Sequence, residues 1–199
     1  MSSTKTSPGA QGTELKASAV IIDILTVIDT DRVIAYCEKN HITPSTKMDQ
    51  PTGIDHSHEF MICTGAREIV SGQGTGDLHF RANPGDVIHF RGTSIYANSD
   101  DAVILYEIIK FKGDDVFYPN KFNVTKVKRN GAVMPDPNTP NGVPPLHTAM
   151  TFNSYSATVS ESGDEWFKVR FGLYRLDDKG QTQNLYGYFE WDPRLTVLG

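Results

Sequence analysis

The sequence predicts an all-β protein, a sandwich or barrel of about eight or nine strands with one short helix. Three observations predict it. Short apolar runs recur between turn signals, and polar residues interrupt them with a period of two. The 199 residues include 17 Gly and 11 Pro, which gather mainly between those runs. Helical spacing is confined to one short stretch.

Each element can be justified in chain order. Residues 1–17 are polar and rich in Ser, Thr and Gly, and read as a flexible tail ahead of one domain over 18–199. Val20–Ile28 is rich in β-branched residues and reads as a strand buried on both faces. Thr30 or Asp31 is placed to cap a helix through Val33, Ile34 and Cys37, with Lys39 and Asn40 at its end. Pro44, Pro51 and Gly53 make residues 41–57 a long irregular connection. Glu59–Thr64 is the next strand. Leu78 and Phe80 then alternate with His79 and Arg81, and Ile88 and Phe90 with His89 and Arg91. Between them, Asn83-Pro84-Gly85-Asp86 predicts a tight hairpin, because Pro fixes φ and Gly admits positive φ.

Ala102–Phe111 is apolar on both faces and predicts a central strand. Phe122–Lys128 is a strand that Asn130-Gly131 should end in a two-residue turn. Val133–Pro145 holds five prolines in thirteen residues and predicts a long surface loop, since Pro cannot donate to a sheet ladder. Phe152–Val159 follows as a strand. Phe167, Val169, Phe171 and Leu173 share one face of the next strand. A turn at Asp177–Gly180 leads into Leu185–Trp191, where Leu185, Gly187, Phe189 and Trp191 share a face.

Composition excludes several classes. Nineteen Lys and Arg against 24 Asp and Glu give a net charge of −5, a poor start for neutralising phosphates, so no nucleic-acid partner is expected. No apolar run approaches the ~18 residues of a membrane span, and no secretory apolar core opens the chain. A soluble, cytoplasmic protein without a membrane partner is the expectation. The two cysteines, Cys37 and Cys63, are expected to stay unpaired in such a compartment.

The densest chemical cluster is Asp55-His56-Ser57-His58-Glu59. On a strand, His56 and His58 would point to one side and reach one metal ion with a carboxylate such as Asp55. A third ligand would have to come from His79, His89 or His147, because zinc normally takes three or four protein ligands. The alternative is a polar loop feeding the strand, and no cofactor or metal is assigned. Pro84-Gly85-Asp86 through Asn98 is similar to the second cupin motif, but Ile95 stands where the ligand histidine belongs. Ser71–Gly76 is glycine-rich yet lacks the Lys-Ser/Thr ending of a phosphate loop. No Gly-x-Ser-x-Gly elbow exists, so serine hydrolase chemistry has no local support. No catalytic constellation emerges. Trp166, Tyr174, Tyr186 and Tyr188 fall opposite the Phe face. They offer an exposed row for a sugar or a subunit contact, with Tyr186 and Tyr188 the candidate ligand-binding pair.

Several runs carry a resemblance. They are Pro51–Ser57, Arg91–Tyr96 continuing through Asn98–Ile104, Phe111–Phe117, Leu185–Phe189 and Trp191-Asp192-Pro193, with Ile22–Leu25 fitting as well. From Ile21 to Val197 the chain resembles the PixA/AidA family of bacterial inclusion-body proteins. The resemblance implies an immunoglobulin-like antiparallel β-sandwich. It also implies a bacterial source, and accumulation in cytoplasmic inclusions or quorum-sensing-regulated expression near hosts. It supplies no reaction and no catalytic residues. The expected function is therefore a non-enzymatic, self-associating protein. The alternatives are a small-ligand or glycan-binding module, and a metal-dependent enzyme at His56 and His58.

Overall fold

The computed structural model describes residues 18–197, so the expected tail at 1–17 lies outside the described residues. Twelve strands and one helix follow in order. The first part of the chain forms β1 (Ile21–Ile28), α1 (Thr30–Lys39), β2 (Thr52–Gly53), β3 (Glu59–Thr64), β4 (Glu68–Ser71), β5 (His79–Ala82) and β6 (Val87–Ser94). The rest forms β7 (Ala102–Gly113), β8 (Phe117–Asp136), β9 (Gly142–Val159), β10 (Gly163–Leu176), β11 (Gln183–Trp191) and β12 (Arg194–Val197). Each strand read from alternation is present, but the count rises from the expected eight or nine to twelve. The three additional ones, β2, β4 and β12, have four residues or fewer.

The strands build two sheets. One has the order β3-β1-β6-β9-β8. In the other, β2-β11-β10-β12-β5-β4 are neighbours and β7 pairs with β10. The sheets are mixed rather than purely antiparallel, because β1 pairs β6, β2 pairs β11 and β5 pairs β12 in parallel. Their inner faces meet across one aromatic core. Phe90 of the first sheet lies edge-on to Phe167 of the second, with ring centroids 5.5 Å apart. Phe171 stacks on Phe189 at 5.4 Å and meets the edge of Trp191 at 5.8 Å. All five of these rings are buried.

Four expectations change. Strand β1 is buried on one face only: Ile22, Ile24, Thr26 and Ile28 point inward while Ile21 and Leu25 are exposed. The turn at Asn83–Asp86 is not a hairpin, because β5 and β6 pair in different sheets. Buried Asp86 holds this crossover. It accepts the backbone N–H of Asn83 (2.8 Å) and of Val20 (3.0 Å), and takes a two-pronged pair from the Arg67 guanidinium (2.7 and 2.9 Å). Burial alone would raise the Asp86 carboxyl, but Arg67 and these amides hold it below the ordinary carboxylate value. Strand β7 is not central: among the described residues it pairs only with β10, and Ile104 and Phe111 lie exposed on it.

The fourth change is the largest. Val133–Pro145 is not a loop, and Asn130-Gly131 ends nothing. Strands β8 and β9, of 20 and 18 residues, pair continuously from Phe117↔Val159 to Asp136↔Gly142, with irregularities along the way. Asn130 and Gly131 sit in a bulge where Arg129 faces Met150 and Ala132 faces Thr148. Only Pro137–Asn141 form the connection. Strand β9 pairs with β6 only from Tyr155 to Thr158, so residues before Tyr155 leave the sheet with β8 as a two-stranded arm. Proline is tolerated there because both outer edges of the arm lack a neighbouring strand among the described residues.

The helix is as expected, shifted by one residue at its start. Asp29 is the cap, and its carboxylate accepts the Arg32 N–H at 3.1 Å. Val33, Ile34 and Cys37 face the core. Cys37 and Cys63 are both free and buried, and burial pushes the Cys63 thiol up to about 11.

Candidate functional site

The segment Asp55–His58 is a turn, because strand β3 begins only at Glu59. Two backbone bonds fix its ends: Ile54 donates to the Glu190 carbonyl at 3.1 Å, and the His58 carbonyl accepts from Asp29 at 2.9 Å. The Asp55 carboxylate accepts both the N–H (3.0 Å) and the hydroxyl of Ser57, closing a small side-chain turn. The Ser57 hydroxyl holds the Asp55 carboxyl below its ordinary value.

This turn separates the two histidines. His56 faces outward between two carboxylates, its Nδ1 against Asp77 and its Nε2 3.1 Å from Asp192. Gly76 permits that approach, since a Cβ there would stand 2.5 Å from the His56 carbonyl oxygen. Partial burial works to lower the His56 pKa, but the two aspartates outweigh it and raise it above its ordinary value. His58 turns inward beneath Tyr36 of α1, with ring centroids 5.1 Å apart. Its Nε2 lies 3.3 Å from Asp55 without hydrogen-bond geometry, and burial lowers its pKa. The one-sided placement expected of a strand therefore does not hold, because strand alternation does not apply within a turn.

The proposed third ligands are elsewhere. His79 bonds Thr196 at 2.6 Å, His89 lies 3.4 Å from Asp23, and His147 stands on the arm 3.3 Å from the Gly131 carbonyl. Among the described residues, no three His, Cys, Asp or Glu side chains form a metal-holding group. Ser57 gives its hydroxyl proton to Asp55 and stands 3.5 Å from His58, so the histidine does not activate it as a nucleophile. What His56 does in this geometry is tie three turns together. Nearby, Glu59 is fully buried with neither carboxylate oxygen partnered among the described residues, and burial pushes it up to about 8.

The aromatic pair is also parted. A bulge between Leu173 and Tyr174 places Tyr174 opposite Leu185 and breaks the alternation at Tyr186. Tyr186 packs against the core, its ring 6.2 Å from that of Phe189. Tyr188 meets Tyr106 edge-on at 5.3 Å, and the Tyr106 hydroxyl donates to the Met48 carbonyl at 2.8 Å. The connection after α1 thus runs along the outer edge of β11, where Ser45 bridges to Tyr188, and Met48 reaches in to the Tyr106 hydroxyl. Tyr186 and Tyr188 do not form an open row.

The open surface lies where the arm leaves the sandwich. A groove of about 580 Å³ runs between β7 and the arm, with Phe90, Ile104, Leu105, Val124 and Tyr155 as its apolar wall. Arg91, Asn98, Lys126, Thr151 and Asn153 supply polar groups along it. A second groove of about 550 Å³ borders Val127, Arg129, Val133 and Phe152 farther along the arm. The sequence carries a signal for this surface that propensity does not use: Pro137–Ser160, twenty-four residues, contains no Asp, Glu, Lys or Arg.

Comparison with known proteins bears on the whole chain. The family model for the PixA inclusion body proteins matches residues 20–197. A crystal structure of an inclusion body protein from Burkholderia cenocepacia J2315 is similar, at 27% identity and a TM-score of 0.71. The match covers 92% of this chain and 99% of that one. No curated protein matches. The family match spans nearly the full sequence and the fold agrees over nearly the full relative: this chain belongs to the PixA inclusion body protein family.

Proposed function

We propose that the chain is a non-catalytic, self-associating protein, built as an immunoglobulin-like sandwich, that accumulates in cytoplasmic inclusion bodies of a bacterium. The observation that carries this reading is the outer edge of β7. Its twelve residues pair with β10 alone among the described residues, and it leaves Ile104 and Phe111 exposed. An unpaired edge presents a row of backbone donors and acceptors to another chain. The histidine cluster supports the non-catalytic side, since His56 is committed to two aspartates and Ser57 to a third. The test is expression in the source bacterium. Cytoplasmic inclusions enriched in the protein are expected, and a diffuse protein that purifies as a monomer at every concentration would overturn the reading.

A second reading is supported by the groove beside β7. Its amides, its cations and the Tyr155 ring are the groups that recognise a small polar ligand or a glycan. A glycan and metabolite panel tests it by thermal shift. Stabilisation that Asn153→Ala abolishes is expected on this reading, and no shift across the panel removes it.

A further inference from the structure

We propose that the β8–β9 arm is an interaction element whose partner is a second copy of this chain, with the basic arm of each copy laid on the acidic pole around Tyr96 of the other. The inference rests on the self-association reading and names a surface for it. A two-stranded ribbon is marginal in water on its own, and this one exposes Val124, Val133, Val143, Leu146 and Phe152. An unpartnered apolar ribbon of this kind is stabilised when another surface covers it.

Charge selects the partner. Residues 122–159 carry Lys126, Lys128 and Arg129 against Asp136 alone, a net charge of +2. The whole chain carries −5, so the remainder carries −7, and the body of another copy is attractive to the arm. The three cations all lie on β8, near the base of the arm. The acidic residues are also gathered. Asp31 accepts the Tyr96 hydroxyl at 2.6 Å, and Asp100 and Asp101 follow in the same turn region. All three raise the Tyr96 phenol. Asn98, two residues from Asp100, lines the groove at the arm's base, so the base of the arm and the acidic turn border one groove. Two copies related by a two-fold axis near that groove would each place a basic ribbon against an acidic pole, the self-complementary arrangement of an isologous dimer. Such an interface closes at two copies. The β7 edge then provides a separate surface through which dimers extend into larger assemblies.

The experiment is sedimentation equilibrium on the full chain and three variants, Lys128→Glu, Asp100→Lys and the two combined. Both residues are exposed and neither makes an ion pair among the described residues, so the variants should melt with the wild type. Each single change should weaken dimerisation by roughly 10-fold, as expected for a like-charge contact, and the combined variant should recover most of it. Dimers unaffected by either change overturn the proposal while leaving self-association standing. Weakening without recovery in the combined variant also overturns it. A wild type that is monomeric at every concentration overturns both the arm and the reading on which it rests.

Discussion

Glu59→Gln should stabilise this protein, and by an amount that depends on pH. Glu59 is fully buried on β3, and among the described residues neither of its carboxylate oxygens has a hydrogen-bond partner. Removal from water penalises the charged form, so burial raises its pKa from 4.5 to about 8. The folded protein therefore holds a proton that the unfolded chain releases above 4.5. Stability associated with this group is full below pH 4.5, falls as pH rises, and levels off above about 8. At about 1.4 kcal/mol per pKa unit, the loss is about 3 kcal/mol at pH 7 and about 5 kcal/mol above pH 8. Glutamine has nearly the shape of the protonated acid and cannot ionise. Urea unfolding followed by the fluorescence of buried Trp191 measures both proteins across this range. The curves should nearly coincide near pH 4.5, and the variant should pull ahead steadily up to pH 8. A stability difference that stays constant with pH would refute the reasoning, because it would mean Glu59 ionises equally in both states.

Three further outcomes follow from other parts of the fold. Asp86→Ala removes the buried acceptor of the Asn83 and Val20 amides and leaves the Arg67 guanidinium only the Ser18 carbonyl. It should cost about 3 kcal/mol in urea unfolding, as for a broken buried ion pair. Phe171→Ala opens a cavity between Phe189 and Trp191, and should cost about 3–5 kcal/mol by the same assay. His56 has a raised pKa, so its pairing with Asp77 and Asp192 adds stability below its unfolded value of 6.5, and that stability is lost as pH climbs through the higher folded value. Wild type should accordingly lead His56→Asn in melting temperature at low pH, with the gap narrowing above pH 6.5. A gap that widens with pH would contradict the imidazolium clamp.

The parts of the fold that were legible in the sequence are those where burial alternates. Phe167, Val169, Phe171 and Leu173 face the core because β10 is central, with neighbours on both sides. The same logic misreads β7, whose apolar residues on both faces suggest a central strand. Ile104 instead faces a groove, and Phe111 lies under the Lys168 ammonium at 4.8 Å. The arm was hidden by its prolines. Pro135, Pro144 and Pro145 break a central strand, but the outer edges of a projecting ribbon need no ladder partner. Asn130-Gly131 has the composition of a turn and the function of a bulge, a distinction made only by how the strand opposite is registered.

The candidate site was legible as a list of residues and not as a geometry. Asp55, His56 and His58 are near one another, as adjacent residues must be. Yet Asp55 curls onto Ser57, and this directs one ring to Asp77 and Asp192 and the other under Tyr36. Asp77 and Asp192 lie 21 and 136 positions away from His56, so no local spacing announces them. Tyr186 and Tyr188 were parted by a one-residue bulge whose cause is the register with β10.

The central claim is that this chain assembles with itself. Sedimentation velocity of the purified wild type, over a concentration series from dilute to near saturation, tests it most directly. The account predicts a dimer at low concentration and larger species that grow with concentration. A single monomeric boundary throughout the series would contradict it.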